Sequence, residues 1–590
     1  MTKLKWMVTS KRADFDAIAE QFNIDKVLAR VIRNRDVCTF EEIDSFLNGG
    51  MDRMHDPHLL KDLDLAVDIL NEKIKEGKTI RIIGDYDVDG ICSTYILLKG
   101  LRTLGANVDT VIPHRILDGY GLNDQLINNA HEDGIDTILT CDNGIAAVSQ
   151  IELASSYGMT VVVTDHHEVP FTLEGEDKVY TLPKAACVVD PKREDCPYPF
   201  KSICGAMIAF KLIEVMLDGK HEDVIRELIP FAAMATVCDV MELLDENRII
   251  VKEGIKCMKE PVNKGLKALK IATGLSENEI SCYHFGFVLG PTINATGRLD
   301  TAKRALELFD TEDFNEACLI ATELRQLNES RKKLTEDGTL NAIRIIEDQD
   351  SDDKVLVVYL GDAHESIAGI IAGRLKEKYY KPVIVLTDAE DGIKGSGRSI
   401  EGYNMYEELT RVNELFTKYG GHKMAAGVSL ESLDKVDELR RRLNENCELT
   451  EDELSRKLKI DVPMPIGYLN HKLINSFELL EPCGTANPKP MFADKDVYLL
   501  SYEKKGRNRV IGKLRVSDSQ GKAFDMVYFD SLEDLDEFIK DTYGDDALTT
   551  LNQGRGRIGD YPVKIAYSPS INSYNGRETI QIVLKYYDAV

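Results

Sequence analysis

The segment TIRIIGDYDVDG, residues 79–90, runs from an apolar stretch directly into three aspartates at alternate positions. The apolar stretch at 79–83 predicts a buried strand. In an extended continuation, Asp85, Asp87 and Asp89 would point to one face, so their carboxylates would converge and repel one another. Fold stability gains nothing from this repulsion. The segment therefore predicts either a cation held between the carboxylates or a strand end that is wide open to water.

Strand patterns alternate with helix patterns on both sides of this segment, between about residue 60 and residue 200. The strands are continuous apolar runs, as expected for a parallel sheet that is covered on both faces. The alternation predicts a doubly wound α/β domain. The predicted strands cover residues 78–83, 106–114, 135–141, 159–164 and 185–190, and the predicted helices cover residues 91–105, 124–134 and 146–158.

Polar residues follow three of these strands at the point where each strand ends. Asp85-Tyr-Asp87-Val-Asp89 follows the first, Asp142-Asn-Gly the third, and Asp165-His166-His167 the fourth. Ligands of open parallel sheets bind outside the carboxyl ends of the strands, so these side chains would share one crevice. Carboxylates with an imidazole suit Mn²⁺ or Mg²⁺, and two such ions sharing a carboxylate are typical of phosphate-ester hydrolases. The alternative is that each segment is only a turn.

The rest of the sequence changes character several times. Residues 1–55 predict a helical lead-in, residues 56–310 the first α/β domain with a helical second half, and residues 311–348 a linking helix. Residues 349–455 predict a second α/β domain with a glycine-rich segment. Residues 456–590 hold short β-rich runs between turn signals, which predict a small β-barrel of the oligonucleotide-binding (OB) type.

The composition limits the function classes. The chain has 590 residues, of which 100 are acidic and 73 basic, and its net charge of −27 argues against a protein that coats nucleic acid nonspecifically. We expect neither a secretory signal nor an apolar run of bilayer-spanning length. The 12 cysteines form no CxxC pair, which predicts reduced thiols in a cytoplasmic protein that does not contact a membrane.

Several segments, in chain order, resemble motifs of the DHH phosphoesterase family and, within it, of the RecJ exonucleases. GDYDVDG (84–90), TCDNGI (140–145), VVTDHH (162–167) and ATVCDVMEL (235–243) are similar to four motifs of the DHH domain. GPTINATGRLD (290–300) resembles a substrate-contacting segment. SGRS (396–399) and YGGHKMAAG (419–427) resemble the DHHA1 domain, and EPCGTANPKPMF (481–492) resembles the entry into the OB domain.

The resemblance implies roles for individual residues. Two divalent ions, Mn²⁺ or Mg²⁺, would be held by five side chains, with Asp142 shared between the ions: Asp87, Asp89, Asp142, His166 and Asp239. His167 would contact the scissile phosphate, Asp165 would orient the imidazole of His166, and Asp85 would support its neighbours. The residues implied in substrate binding are Asn294, Arg298, Ser396, Arg398, Gly420, Gly421 and His422.

One position departs from the family pattern. Many members carry a histidine two residues before the first aspartate of GDYDVDG, where it binds the first ion. Ile83 occupies this position here. The first metal site is therefore expected to have one protein ligand fewer.

A basic stretch lies in the β-rich C-terminal region. KKGRNRVIGKLR (504–515) places six basic residues in twelve positions, including Arg507 and Arg509. With the nearby Tyr502 and Tyr528, it predicts a groove that attracts phosphates and stacks the bases of a single strand. The alternative is a solvated hairpin.

The resemblance implies a metal-dependent exonuclease that degrades single-stranded DNA from the 5′ end and releases 5′-mononucleotides in recombination and repair. One strand would thread between the two α/β domains under the C-terminal barrel. Family resemblance also suggests a monomer that meets single-strand-binding protein and a RecQ-type helicase. Two alternatives stay open: a DHH phosphoesterase of small substrates such as nanoRNA, cyclic dinucleotides or pyrophosphate, and a non-catalytic scaffold with a relict site.

Overall fold

A computed structural model describes residues 4–114, 121–174, 177–277, 279–299, 302–349, 351–389, 392–506, 510–574 and 577–590. The chain divides into two compact units. The first unit contains residues 54–241 and 249–456, and the second contains residues 4–53, 242–248 and 457–590. No helix among the described residues is both long and apolar enough to span a bilayer.

The strands are numbered β1 to β20 in chain order. They are β1 Lys5–Val8, β2 Thr79–Ile83, β3 Asn107–Val111, β4 Thr137–Cys141, β5 Thr160–Thr164, β6 Phe171–Glu174, β7 Asp177–Tyr180, β8 Cys187–Val189, β9 Leu356–Tyr359, β10 Val383–Ala389, β11 Gly392–Arg398, β12 Lys418–His422, β13 Ala425–Leu430, β14 Lys457–Ile460, β15 Val462–Pro463, β16 Phe492–Lys505, β17 Ile511–Ser517, β18 Ala523–Tyr528, β19 Pro562–Tyr574 and β20 Arg577–Ala589.

The helices are numbered α1 to α22 in the same way. They are α1 Phe15–Phe22, α2 Lys26–Asn34, α3 Phe40–Asn48, α4 Leu63–Lys75, α5 Val88–Thr103, α6 Asp124–Glu132, α7 Val148–Ser156, α8 Gly205–Leu217, α9 Glu222–Cys238, α10 Asp245–Cys257, α11 Lys264–Ala272, α12 Cys282–His284, α13 Gly290–Ile293, α14 Thr296–Leu299, α15 Lys303–Asp310, α16 Phe314–Gln349, α17 Ala368–Tyr379, α18 Met405–Thr410, α19 Asp434–Glu445, α20 His471–Ser476, α21 Leu532–Tyr543 and α22 Asp545–Asn552.

The first unit is built on a five-stranded parallel sheet in the order β3-β2-β4-β5-β8. The reversal of strand order next to β2 is the topological switch point at which such sheets bind ligands. Strands β2, β4 and β5 are apolar and buried over most of their length because helices cover both faces. The carboxyl ends of β2, β4, β5 and β8 therefore form one edge, and the predicted polar residues lie there.

A 36-residue helix, α16, leads to a second sheet in the same unit. This sheet has the order β12-β13-β11-β10-β9, and only β9 and β10 run parallel. Helix α17 packs on it through an apolar cluster that includes Ile371 and Leu375. A hairpin of β6 and β7 also lies in the first unit, and the sequence patterns did not predict it.

The second unit contains a closed barrel in which β16, β17, β18, β20 and β19 pair in a ring. Helices α1 to α3 do not form a separate body, because residues such as Leu28 and Ile32 share one hydrophobic cluster with barrel residues such as Val516. The buried guanidinium of Arg248 donates hydrogen bonds to the carbonyls of residues 479–482, at the start of the EPCGTANPKPMF segment. The predicted fold class is confirmed: two α/β domains, a long linking helix and a C-terminal OB barrel.

Candidate active site

The three aspartates of GDYDVDG converge through a turn and a helix rather than along a strand. Strand β2 ends at Ile83 and α5 begins at Val88, so the expected extended continuation is wrong. Asp87 caps α5, and its Oδ1 accepts a hydrogen bond from the backbone N–H of Gly90 at 3.0 Å. A Cβ on Gly90 would lie 2.4 Å from the carbonyl oxygen of Asp85, so only glycine allows this tight turn. The turn brings the three carboxylates together at the carboxyl end of β2.

Asp142 meets these aspartates from the end of β4. Its φ of 60° lies in the left-handed region, which an aspartate tolerates better than most residues. A Cβ on Gly205 would come within 2.8 Å of Asp142 Cβ, so the start of α8 presses against this residue. One carboxylate oxygen from each of Asp85, Asp87 and Asp142 lies within 4.8 Å of the others. Asp85, predicted only to support its neighbours, thus belongs to a group that could bind an ion.

A second group forms around the imidazole of His166 at the end of β5. His166 Nε2 lies 3.0 Å from Asp142 Oδ1, 3.5 Å from Asp89 Oδ2 and 3.6 Å from Asp239 Oδ2. Asp89 also accepts the N–H groups of Gly205 and Ala206 at 2.7 Å each, which fixes its carboxylate against the start of α8. Asp142 belongs to the first group and contacts His166 of the second, so it lies between the two groups. We call Asp85, Asp87, Asp89, Asp142, His166 and Asp239 the carboxylate cluster.

Asp165 orients the second histidine of the DHH motif. Its Oδ1 accepts hydrogen bonds from the backbone N–H groups of His166 and His167, and it lies 2.8 Å from His167 Nδ1. Its Oδ2 accepts the N–H of Ile145 at 2.9 Å. The prediction that Asp165 orients the imidazole of His166 is therefore wrong. Burial lowers the pKa of His167, but the bond to Asp165 and the charge of this carboxylate outweigh burial and raise the pKa to about 9.

The electrostatics of the carboxylate cluster favour a bound cation. Burial, followed by the charge of Asp89, raises the pKa of Asp142 well above its ordinary value. The same two causes raise the pKa of Asp87, and they raise the pKa of Asp239 to about 8. Asp239 Oδ2 is buried and accepts no hydrogen bond within the described residues. The donor set of carboxylate oxygens and one imidazole fits Mn²⁺ or Mg²⁺, whose charge would relieve this repulsion.

Two nearby residues of the β8 strand end were missed by sequence reasoning. Asp190 is fully buried, and burial followed by the charge of Asp165 raises its pKa to about 8. Its Oδ1 accepts the N–H of Lys192 at 2.7 Å, and Lys192 Nζ lies 3.2 Å from Glu168, next to His167. The signal was present in the sequence, because Asp190 follows the apolar run 185–189 as Asp142 and Asp165 follow theirs.

Ile83 is fully buried at the end of β2, in an apolar cluster with residues such as Leu126 and Ile145. Its carbonyl oxygen accepts a hydrogen bond from Asn143 Nδ2 at 3.1 Å, which ties the ends of β2 and β4 together. Where many family members carry a histidine, this chain thus has an isoleucine that packs in an apolar cluster.

Three predicted substrate-binding residues meet at the start of α17. Arg398 Nη1–H donates to Ser396 Oγ at 3.0 Å, and Arg298 Nη1–H donates to the carbonyl of Ser366 at 2.5 Å. A Cβ on Gly369, in the first turn of α17, would lie 2.8 Å from both Arg398 Nη2 and Ser396 Oγ. We call Arg298, Ser396 and Arg398 the arginine cluster.

Gly297 connects the two clusters. A Cβ on Gly297 would lie 2.7 Å from the carbonyl oxygen of Tyr86, which stands between Asp85 and Asp87. The next residue, Arg298, belongs to the arginine cluster. Asn294 lies just before this contact, at the end of α13. Arg298 is therefore held next to the segment that carries the first carboxylates.

The Gly-Gly-His segment lies on the same sheet as the arginine cluster. Gly427 of β13 pairs with Ser396 on one side and with Gly420 on the other, and Ala425 pairs in the same way with Arg398 and His422. Gly420, Gly421 and His422 are exposed at the edge strand β12. Two strand spacings, about 10 Å, separate them from the arginine cluster.

The basic tail is only partly consistent with the prediction. Arg507 and Arg509 lie outside the described residues. Lys513 and Arg515 point outward from β17, whereas Tyr502 and Tyr528 are 0% and 6% exposed. The expectation that these two tyrosines stack bases is therefore wrong, since both rings belong to the barrel core.

Comparison with known families gives three matches along the chain. Residues 79–236 match the N-terminal domain of the DHH family, residues 352–449 match the DHHA1 domain, and residues 460–586 match the RecJ OB domain. The first range contains the carboxylate cluster except Asp239, the second contains the Gly-Gly-His segment, and the third contains the barrel up to residue 586.

Two relatives that match nearly all of this chain are RecJ exonucleases. The chain is 34% identical over 594 residues to the single-stranded-DNA-specific exonuclease RecJ of Bacillus subtilis, an alignment that covers 99% of this chain and 71% of the relative. It is 31% identical over 607 residues to RecJ of Escherichia coli, with 98% and 99% covered.

Two solved structures are similar in fold to this chain. RecJ from Thermus thermophilus in complex with Mn²⁺ superposes with a TM-score of 0.79 at 25% identity, covering 100% of this chain and 80% of that chain. Its complex with Mg²⁺ superposes with a TM-score of 0.72 at 24% identity, covering 99% and 78%.

Proposed function

We propose, from the premise that this chain belongs to the RecJ family of single-stranded-DNA-specific exonucleases, that it is a metal-dependent exonuclease of single-stranded DNA. The observation that carries this function is the carboxylate cluster, in which two groups of ligand atoms converge on Asp142 at the carboxyl edge of a parallel sheet. The arginine cluster beside it supplies positive charge for the phosphates of a strand.

Two divalent ions, Mn²⁺ or Mg²⁺, fit the carboxylate cluster, where they would polarise the scissile phosphate and lower the pKa of the attacking water. Asp85 and Asp87 would hold one ion, His166, Asp89 and Asp239 the other, and Asp142 both. His167 would contact the scissile phosphate, since the hydrogen bond between its Nδ1 and Asp165 fixes the ring.

The remaining residues bind and orient the strand. Arg298 and Arg398 would form charge-assisted hydrogen bonds to phosphates, with Ser396 and His422 completing the contacts. Asn294, Gly420 and Gly421 would line the same path. Because a single strand offers its phosphates without a second backbone alongside, these contacts favour it over a duplex.

Finer features of the activity follow from family membership. We propose cleavage from the 5′ end, release of 5′-mononucleotides by in-line hydrolysis, and a role in DNA recombination and repair. We further propose a cytoplasmic monomer that meets single-strand-binding protein and a RecQ-type helicase. All 12 cysteines are free thiols in the structure, which suits a reducing compartment.

Digestion of end-labelled DNA tests this function. Single- and double-stranded substrates labelled at the 5′ or the 3′ end are incubated with Mn²⁺, Mg²⁺ or EDTA, and a dinucleotide serves as the small-substrate control. We expect metal-dependent loss of the single strand, with mononucleotides released first from the 5′ label. Preferential turnover of the dinucleotide, or no hydrolysis with either metal, would contradict the proposal.

A further inference from the structure

An exposed aromatic pair, Tyr283 and Phe287, lies in the segment that precedes the GPTINATGR motif. The two side chains are 63% and 69% exposed, although apolar rings of this size are usually covered. Their ring centroids are 5.2 Å apart with an angle of 22° between the planes, so they stack on each other. The pair therefore presents a preformed aromatic surface to the solvent.

The backbone of this segment contacts Cys238, the residue before Asp239. Phe287 lies in a π-helical turn, Phe285–Leu289, a local geometry that often marks functional sites. The carbonyl of Phe285 accepts a hydrogen bond from the thiol of Cys238 at 3.4 Å, and a Cβ on Gly290 would lie 2.3 Å from Cys238 Sγ. Since Cys238 directly precedes Asp239, the π-helical turn packs against the side chain of the residue next to a candidate metal ligand.

A third exposed apolar side chain lies next to Asp239. Val240 is 66% exposed, and its φ of 59° is strongly disfavoured for a β-branched residue. Backbone strain of this kind concentrates at active sites and ligand-binding segments. Exposed apolar side chains thus occur on both of the contacting segments: Val240 follows Cys238, and Tyr283 and Phe287 lie before and within the π-helical turn.

We propose that Tyr283 and Phe287 form a stacking platform for an unpaired base of the strand whose phosphate lies in the carboxylate cluster. This inference rests on the proposed function and adds a site for the base to the sites for phosphate. The occupant is a base rather than a protein side chain because the same segment continues to Arg298, which is placed to hold the phosphates of the same strand. Aromatic stacking accepts every base, as a nuclease without sequence preference requires.

The platform also contributes to the preference for single strands. In a duplex, both faces of each internal base are already covered by neighbouring bases. Only an unstacked base can lie flat on the aromatic pair. The platform would therefore bind a single strand more tightly than a duplex, independently of the phosphate contacts.

Binding of DNA with and without a base tests this inference. A fluorescein-labelled oligothymidine, and a set of the same strands with one abasic position each, are titrated in Ca²⁺, which replaces the catalytic ions in the carboxylate cluster, with the wild type and with Y283A/F287A. We expect wild type to bind one or two of the abasic strands about tenfold more weakly than the intact strand. Y283A/F287A should bind the intact strand about tenfold more weakly and lose this discrimination.

Two controls keep the test specific. Tyr157, 39% exposed and stacked on His131, precedes β5 and so lies at the opposite edge of the sheet; Y157A should behave as the wild type. The swapped variant Y283F/F287Y keeps two rings and should keep the discrimination. Melting temperatures of all variants should match, because the truncated side chains are exposed.

The outcomes separate this inference from the function on which it rests. Equal binding of intact and abasic strands by wild type and Y283A/F287A would overturn the platform, whether or not wild type hydrolyses DNA with Mn²⁺. Loss of self-association in Y283A/F287A without any abasic effect would assign the pair to a protein interface and overturn it too. Abasic discrimination without hydrolysis would leave the platform standing and contradict the exonuclease.

Discussion

The carboxylate cluster and the arginine cluster lie next to each other in the first unit but are built in opposite ways. The carboxylate cluster is buried, and this burial, followed by mutual repulsion, raises the pKa values of Asp87, Asp142 and Asp239. The arginine cluster is half-buried, and oxygens of Ser366, Ser396 and Gly397 accept hydrogen bonds from its two guanidinium groups. The carboxylates of the first cluster suit cations, and the guanidinium groups of the second suit phosphates.

This difference explains how an acidic chain can act on a polyanion. The net charge of −27 is a sum over the whole chain, whereas Arg298 lies next to the segment that carries the first carboxylates. A cation bound in the carboxylate cluster would turn this acidic site into one that attracts phosphate. Mutations should therefore affect chemistry most in the carboxylate cluster and binding most in the arginine cluster.

The largest effect is expected for Asp142→Asn. Asparagine tolerates the φ of 60°, so the fold should persist, while loss of the shared carboxylate should lower kcat by roughly 10³-fold or more, the scale at which removal of an essential group acts. In EDTA the variant should melt at the same or a higher temperature, because one of several repelling carboxylates is neutral. Single-turnover hydrolysis and thermal melts measure both effects.

Asp195→Asn is the matched control for this variant. Asp195 pairs with Arg193 near the surface, and its substitution should leave hydrolysis unchanged. Full activity of a clean Asp142→Asn preparation would contradict the assignment of the shared ligand.

Asp165→Asn is expected to come next. Asp165 accepts N–H groups on both carboxylate oxygens, so an amide NH₂ must face at least one of them. We expect kcat to fall about 10²-fold because His167 loses its orientation, and stability to fall by about 1–3 kcal/mol because buried donors lose their acceptor. Urea unfolding and kcat, measured on the same preparation, check both. A stable variant with wild-type kcat would show that His167 needs no such support.

Arg398→Gln should mainly weaken binding. A lost phosphate contact should raise the Kd for a single strand about tenfold and make the dependence of binding on salt less steep, with a smaller change in kcat at saturation. Arg441→Gln is the control, since Arg441 pairs with Glu438 and Glu445 on the exposed face of α19. Equal salt slopes for wild type and Arg398→Gln would remove Arg398 from the phosphate path.

Ile83→His sharpens the comparison within the carboxylate cluster. We expect the activity of wild type to rise in two stages as Mn²⁺ is added, since the first site lacks the family histidine. An imidazole at 83 should shift the weaker stage to a lower Mn²⁺ concentration. It should also lower the melting temperature, because a polar ring replaces a fully buried side chain. One tight stage in wild type, and only a lower melting temperature in the variant, would refute the ligand-poor site.

The smallest effect is expected in the barrel. Deleting the barrel is not a clean test, because it shares one hydrophobic cluster with helices α1 to α3. Neutralising the outward residues in K513Q/R515Q should weaken binding of long strands several-fold, with a less steep salt dependence, and leave cleavage of very short strands unchanged. K540Q, on the exposed face of α21, is the control. Identical salt dependence of K513Q/R515Q and wild type would exclude this surface from strand binding.

The sequence was informative where a local pattern and a chemical need coincide. Strand-end aspartates in a parallel sheet converge for topological reasons, so their meeting was predictable without coordinates. The path between them was not, because the strand stops at Ile83 and Asp87 becomes a helix cap. Asp85 was undervalued for this reason.

Other features depend on packing that one sequence does not reveal. Tyrosines beside basic residues are typical of a base-binding surface, but the rings of Tyr502 and Tyr528 are buried in the barrel core. Helices α1 to α3 read as a separate lead-in, yet their apolar faces are buried with residues more than 400 positions away. The motif places His166 and His167 side by side, so the sequence leaves open which of the two rings contacts Asp165. In the structure it is the ring of His167.

The central claim is that Asp142 is shared by two ions, and electron paramagnetic resonance of the Mn²⁺-loaded protein tests it most directly. Mn²⁺ is added stepwise to wild type and to Asp142→Asn, and spectra and hydrolysis of a single strand are recorded at each step. The account predicts that wild type develops the spectrum of a spin-coupled Mn²⁺ pair, that hydrolysis rises with it, and that Asp142→Asn shows neither. Full hydrolysis by wild type with only uncoupled Mn²⁺ signals would contradict the account.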